Sequence, residues 1–132
     1  MPYQTSDYTG DAIYSLHTTG DVVTGDEISF DRATFSGSFR KPKFAGFERI
    51  TGKVISDSYG AEKQQHTFTI LQENGEKLLI KGRNLYAQGV YRKPWTDETA
   101  RRAVADEKHQ RGDRARTARA IRKSEQAMEA WS

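Results

Sequence analysis

Between Ile50 and Tyr86 apolar and polar side chains alternate in short runs separated by turn residues. Ile50 and Val54 share one face of a first run, while His66, Phe68 and Ile70 alternate with Thr67 and Thr69 in a second. Asn74-Gly75 can adopt the positive backbone angles of a tight hairpin, which predicts a return strand at about Lys77 to Lys81. Upstream, Ile28 and Phe30 point one way and Glu27, Ser29 and Asp31 the other, in a strand that continues through Ala33 to Phe35. Lys81-Gly82-Arg83-Asn84 breaks the alternation, Leu85-Tyr86 resumes it, and a last short strand is predicted at Gly89-Val90-Tyr91. His66 shares the parity of Phe68 and Ile70, so it reads as an inward, half-buried structural residue before a catalytic one.

The flanks differ in kind. Residues 1–24 form a weakly periodic stretch predicted to be an acidic tail or one peripheral strand. Thr19-Gly20-Asp21 and Thr24-Gly25-Asp26 mark two turns. Residues 25–93 hold the β unit. Residues 94–132 form a helical extension that starts at Trp95-Thr96-Asp97-Glu98, with Thr96 as cap and Trp95 packing on Ala100. Gly112-Asp113 predicts a break or kink, followed by a second helical stretch whose thin apolar stripe runs through Ala115 or Ala118, Ile121, Met128 and Trp131. The fold class is therefore mainly β with C-terminal α: a small antiparallel barrel or curled sheet, then a charged helix or kinked helix pair.

Composition narrows the options. The chain has 132 residues, enough for one domain, and 35% of them are apolar. It has no cysteine, which excludes disulfides, thiolate metal sites and thiol nucleophiles. It has no run of the roughly 18 apolar residues that spans a membrane and no export signal, which predicts cytoplasmic residence without a membrane partner. The net charge of +3 is unevenly placed, because residues 1–30 carry five acidic side chains and no Lys or Arg, leaving the remainder at +8. Such a chain can orient on a polyanion or pair its own two ends.

Three stretches carry candidate chemistry. Lys81, Arg83, Arg92 and Lys93 are interleaved with Tyr86, Tyr91 and Trp95 and no carboxylate intervenes, a combination suited to phosphate oxygens and bases. The same rings could instead join the helix to the barrel. Arg114, Arg116, Arg119, Arg122 and Lys123 form a basic stripe whose mutual repulsion a polyanion would relieve. Phe35 to Phe47 spaces four Phe residues with Gly, Ser and Pro around Arg40, Lys41 and Lys43. Pro42 and Gly46 argue for a long loop, with Phe39, Phe44 and Phe47 either tucked into the core or exposed as an interface.

Gly25-Asp26-Glu27-Ile28-Ser29-Phe30, Gly52-Lys53-Val54, the hairpin at Asn74-Gly75 and the return at Leu78 to Lys81 resemble the strand order of small SH3-like barrels, including KOW and Tudor-type modules. The resemblance covers roughly Gly25 to Tyr91 and implies binding of nucleic acid, ribosomal surfaces or peptides. In overall style the chain also resembles the short basic proteins of bacteriophages, which join a small sheet to a charged helical tail.

No metalloprotease, phosphate-loop, dinucleotide or nucleophile-elbow motif is present, and neither metal nor cofactor is expected. A His66 base assisted by Asp57 or Glu62, with Arg83 on phosphate, is the one enzymatic arrangement the residues permit. The leading expectation is a non-enzymatic DNA- or RNA-binding protein that uses the basic, aromatic barrel face and the Arg-rich helix. The alternative is a protein-interaction module, an inhibitor of a host protein or a structural subunit, docking through Phe35 to Phe47. A homo-oligomer formed through Ile121, Met128 and Trp131 is a third.

Overall fold

The computed structural model describes residues 5–58 and 66–131. Six antiparallel strands form one curled, half-barrel sheet: β1 (Leu16–His17), β2 (Glu27–Ser38), β3 (Lys41–Asp57), β4 (Thr67–Gln72), β5 (Lys77–Lys81) and β6 (Val90–Arg92). Their spatial order is β1-β6-β2-β3-β4-β5. A one-turn helix, α1 (Gly82–Leu85), joins β5 to β6, and α2 (Glu98–Trp131) closes the chain.

The alternation seen in the sequence becomes the core. Phe30 lies opposite both Ile50 and Val90, Val54 opposite Ile70, and Phe68 opposite Ile80, so one sheet face collects the large side chains. All seven are buried, together with Ile28, Leu85 and Val22. The hairpin at Asn74-Gly75 forms as predicted, with Gly75 at φ +87° and the Asn74 side chain accepting the Glu76 N–H. Both Thr-Gly turns also form, and His66 sits half-buried on the core side with its ring 4.2 Å from that of Phe68.

Four expectations need correction. The Phe-rich stretch is an extension of β2 and β3, not a loop: Phe35 pairs with Phe44, Ser36 with Lys43 and Ser38 with Lys41 around a two-residue turn at Phe39-Arg40. A register shift after Thr34 accommodates Ala45, and Gly46 at φ +120° lets the chain absorb that extra residue. Pro42 is tolerated because its edge of β3 faces no other strand there. Second, α2 is continuous, and Gly112 is a buried residue inside it, not a break. Third, the alternation does not resume at Leu85-Tyr86: Gly82 to Leu85 turn into α1, which places Leu85 in the core.

The fourth concerns residues 5–24, which are part of the folded unit. Val22 and Val23 are wholly buried, and β1 is the predicted peripheral strand, so the β unit begins before Gly25. Residues 6–14 also cover the back of the sheet. Ser6 donates to Asp31, Tyr8 packs edge-on against Tyr91, and the Arg49 guanidinium lies 3.4 Å over the Tyr8 ring. This explains why Ser29 and Asp31 are buried although they point away from the core. Asp31 also accepts from Arg49 Nε at 2.5 Å, and these donors hold its carboxyl below the usual range against the opposing effect of burial.

Candidate functional site

The uneven charge of the sequence is resolved inside the molecule. Arg101, Ala105, Lys108 and Gly112 recur at helical spacing on the buried stripe of α2, and two of the four are cationic. Asp26, fully buried, receives Arg101 Nε at 2.8 Å and Nη2 at 2.9 Å, the Trp95 indole N–H at 2.7 Å and the Val23 N–H at 3.0 Å. Arg101 Nη2 also donates to the Asp21 carbonyl at 2.7 Å. Gly25 is required beside this cluster, because at φ +102° a Cβ would stand 2.7 Å from the Trp95 ring.

Further along α2, Lys108 donates to the Val22 carbonyl and places its ammonium 5.3 Å from the Phe68 ring centre. Burial lowers its pKa, while Asp57 and Asp21 oppose that effect. Arg111 reaches Asp57 Oδ1 at 3.2 Å, and Thr24 donates to the other oxygen at 2.8 Å. His66 Nε2 lies 3.7 Å from the same carboxylate. Asp57 is thus a docking point for the helix, and Glu62, its imagined catalytic companion, lies outside the described residues.

Several residues of the predicted barrel-face site make contacts within the fold. Arg92 is buried and forks onto Glu98 at 2.8 and 3.0 Å. Tyr86 packs edge-on to Phe68, accepts the Val22 N–H on its hydroxyl, and is pushed up to about 12 by burial. Tyr91 is held between Tyr8 and His17, and Lys93 lies 3.7 Å from Glu27. Arg92 is thereby held in the fold, while Tyr91 and Lys93 keep part of their surface open. Lys81 and Arg83 remain exposed, at the end of β5 and in α1.

The start of α2 also differs from expectation. Asp97, not Thr96, accepts the N–H groups of Thr99 and Ala100, and Glu98 accepts the Trp95 N–H at 2.8 Å. The Arg92 guanidinium and then the Trp95 amide hold the Glu98 carboxyl at about 2, against an ordinary value of 4.5. A depressed carboxylate stabilises the fold fully above its unfolded value and loses that contribution as pH falls through the folded one. Thermal melts of Glu98→Gln and the parent should therefore differ most above pH 4.5 and converge towards pH 2. A constant offset across that window would refute the assignment.

Two basic features remain outside the docked body. One is the β2–β3 arm, where Phe39 is fully exposed at the tip beside exposed Arg40, Lys41 and Lys43. Phe35, Phe44 and Phe47 form a ring ladder along it, with centroids 6.3 and 5.2 Å apart, and Phe35 is 63% exposed. No acidic residue occurs between Ala33 and Phe47. The other is α2 beyond Gly112, where Arg114, Arg116, Arg119, Arg122 and Lys123 are exposed and Arg116 pairs with Asp113. Ile121 and Met128 are exposed on this segment; the Trp131 side chain lies outside the described residues. No group of three or more potential metal ligands occurs among the described residues, and none of their helices is long and apolar enough to cross a membrane.

A curled antiparallel sheet of SH3-like shape, sealed by a salt-bridged helix, defines the class of domain. Residues 18–95 match the family described as Domain of unknown function (DUF7699), more than half of the chain, and the protein belongs to that family. The chain is also similar to Zinc finger CCCH domain-containing protein 62 of Oryza sativa subsp. japonica, at 39% identity over 123 residues, covering 83% of this chain and 18% of that protein. The likeness reaches beyond the family segment. This chain has no cysteine and so carries no CCCH finger of its own. No solved structure matches.

Proposed function

We propose that this is a non-enzymatic nucleic-acid-binding domain whose principal contact is the β2–β3 arm, with the exposed distal half of α2 as a second basic element. The observation that carries this is Phe39, fully exposed at the arm's tip beside three exposed cations with no carboxylate in the segment. Fixed cations supply phosphate contacts and an unshielded ring supplies base contact. The cations that the fold engages, Arg92, Arg101, Lys108 and Arg111, are excluded from the role; the side chains of Arg40, Lys41 and Lys43 make no hydrogen bond or ion pair among the described residues. A two-stranded basic ribbon is also a shape that a nucleic-acid groove admits. The zinc-finger name belongs to the rice relative, and this chain has no cysteine to form such a finger, so the name adds nothing to the arm as evidence.

Arm and salt should be coupled. Affinity for a labelled oligonucleotide should fall steeply between about 50 and 200 mM salt. Replacing Arg40, Lys41 and Lys43 together by alanine should reduce the slope of log affinity against log salt by about 2 for a single strand. Phe39→Ala should weaken binding by about tenfold with the slope unchanged, since a stacked ring releases no counterions. A slope unaffected by the triple variant removes the arm from the interface.

The ring ladder favours one other reading, a protein-docking arm, because Phe35, Phe39 and Phe44 together expose an apolar strip. Loss of a protein partner on replacing Phe39 and Phe44, with no effect of replacing Arg116 and Arg119, would select it.

A further inference from the structure

The half-barrel is not closed, and its seam is a groove. Among the described residues, β2 has no partner beyond Phe30 on the side where β6 ended, and β5 pairs only with β4. Between these edges lies an open cavity of about 460 Å³, walled on one side by Arg32, Ala33 and Phe35 and on the other by Leu79, Lys81 and Asn84. Leu79 is 68% exposed, an unusual position for leucine beside an equally open phenylalanine. Phe35 belongs both to this groove and to the arm's ring ladder, so the two surfaces are continuous.

The charge in the groove is one-sided. Asp31 contributes to the wall, but its carboxylate is engaged by Arg49 and Ser6. The Arg32 head is bound by Glu48 at 2.9 Å. Lys81 has no ion-pair partner among the described residues, and Arg83 is exposed one turn of chain away. An occupant therefore meets a ring, an aliphatic platform, an amide, backbone groups of two strand edges and an uncompensated ammonium.

Resting on the nucleic-acid reading above, we infer that the seam between β2 and β5 is a track for single-stranded nucleic acid, running from the arm's Phe ladder past Phe35 and Leu79 to Lys81. Duplex bases have their faces stacked inside the helix, so a duplex offers nothing to lie on Phe35 and Leu79 and meets the domain through the cations of the arm and of distal α2. Unpaired bases can lie on Phe35 and Leu79 while the phosphate meets Lys81, and Asn84 is placed to reach a base edge. The continuity of the ring ladder with the groove singles out this occupant. An extended peptide could use the strand edges but has no need of the rings.

Fluorescence anisotropy with the full chain separates the possibilities, using a mixed-sequence oligonucleotide of about 12 nucleotides, as DNA and as RNA, single-stranded and annealed. The single strand should bind at least about tenfold more tightly than the duplex, and Lys81→Glu and Phe35→Ser should each weaken it by about tenfold while changing duplex affinity less than about twofold. Both side chains are exposed, so the variants should melt like the parent; Leu79→Ser is a third variant on the opposite wall. Equal affinity for both forms, or single-strand binding indifferent to Lys81→Glu and Phe35→Ser, overturns the track while leaving the arm in place. Indifference to the variants together with capture of an extended peptide assigns the groove to strand addition. Absence of binding to either form overturns the nucleic-acid reading itself.

Discussion

Arg101→Ala should lower the unfolding free energy by about 3–5 kcal/mol, the cost of leaving a buried charge without its partner. Asp26 is fully buried and Arg101 only 7% exposed, so solvent cannot replace the lost guanidinium. The arginine also bonds Thr18 Oγ1 at 3.2 Å and the Asp21 carbonyl, tying three points of the loop that carries Val22 into the core. Lysine should not restore the parent's stability, since one ammonium cannot satisfy both Asp26 oxygens as the planar fork does. Combining Arg101→Met with Asp26→Asn should recover much of the loss, because the desolvated charge is then absent from both sides. Urea unfolding gives the result directly, and a shift worth less than about 1 kcal/mol, the scale of an exposed pair, would mean that Arg101 is not buried as described.

The second large effect concerns where the domain ends. A chain stopping after residue 113 should unfold within about 0.5 kcal/mol of the parent, because the helix beyond that point is almost wholly exposed and makes no core. A chain stopping after residue 97 should fail to fold stably, since it loses Arg101, Lys108 and Arg111 and leaves Asp26 and Asp57 without their helix partners. The first truncation separates stability from binding. It removes Arg114, Arg116, Arg119, Arg122 and Lys123, and with them the salt-dependent affinity contributed by that segment. Equal destabilisation by both truncations, followed by urea titration and far-UV circular dichroism, would show that the distal helix packs on the body.

Much of the sheet was legible because its signals are local. Ile28 with Phe30, Phe68 with Ile70, and Asn74-Gly75 announce their own conformation through side-chain parity and backbone angles. The arm was misread because Gly, Ser and Pro carry loop signals one residue at a time. Only cross-strand pairing of Phe35 with Phe44 and of Ser38 with Lys41 turns them into an edge ribbon. The helix was read from capping residues near Trp95, but the face it buries was missed. Hydrophobic periodicity cannot find a stripe whose members include Arg101 and Lys108.

The candidate site shows the same division. Composition gathered Lys81, Arg83, Tyr86, Tyr91, Arg92 and Lys93 into one surface, and the structure sends Tyr86 to Phe68, Tyr91 to Tyr8 and Arg92 to Glu98. The groove behind Lys81 could not be anticipated, because Phe35 and Leu79 lie far apart in sequence and become neighbours only when the sheet curls.

The sequence by itself determined the strand alternation, the hairpin at Asn74-Gly75, the helix-forming C-terminal third and the opposed charge of the two ends. These follow from interactions within a few residues or from simple counting. Tertiary structure alone decided which cations would be spent. Asp21 and Asp26 draw Arg101 out of solvent and Asp57 holds Arg111, while Lys81, Arg83, the arm and the distal helix keep exposed cations. The reason is physical: an ion pair's role depends on its desolvation, and desolvation is a property of the packed molecule.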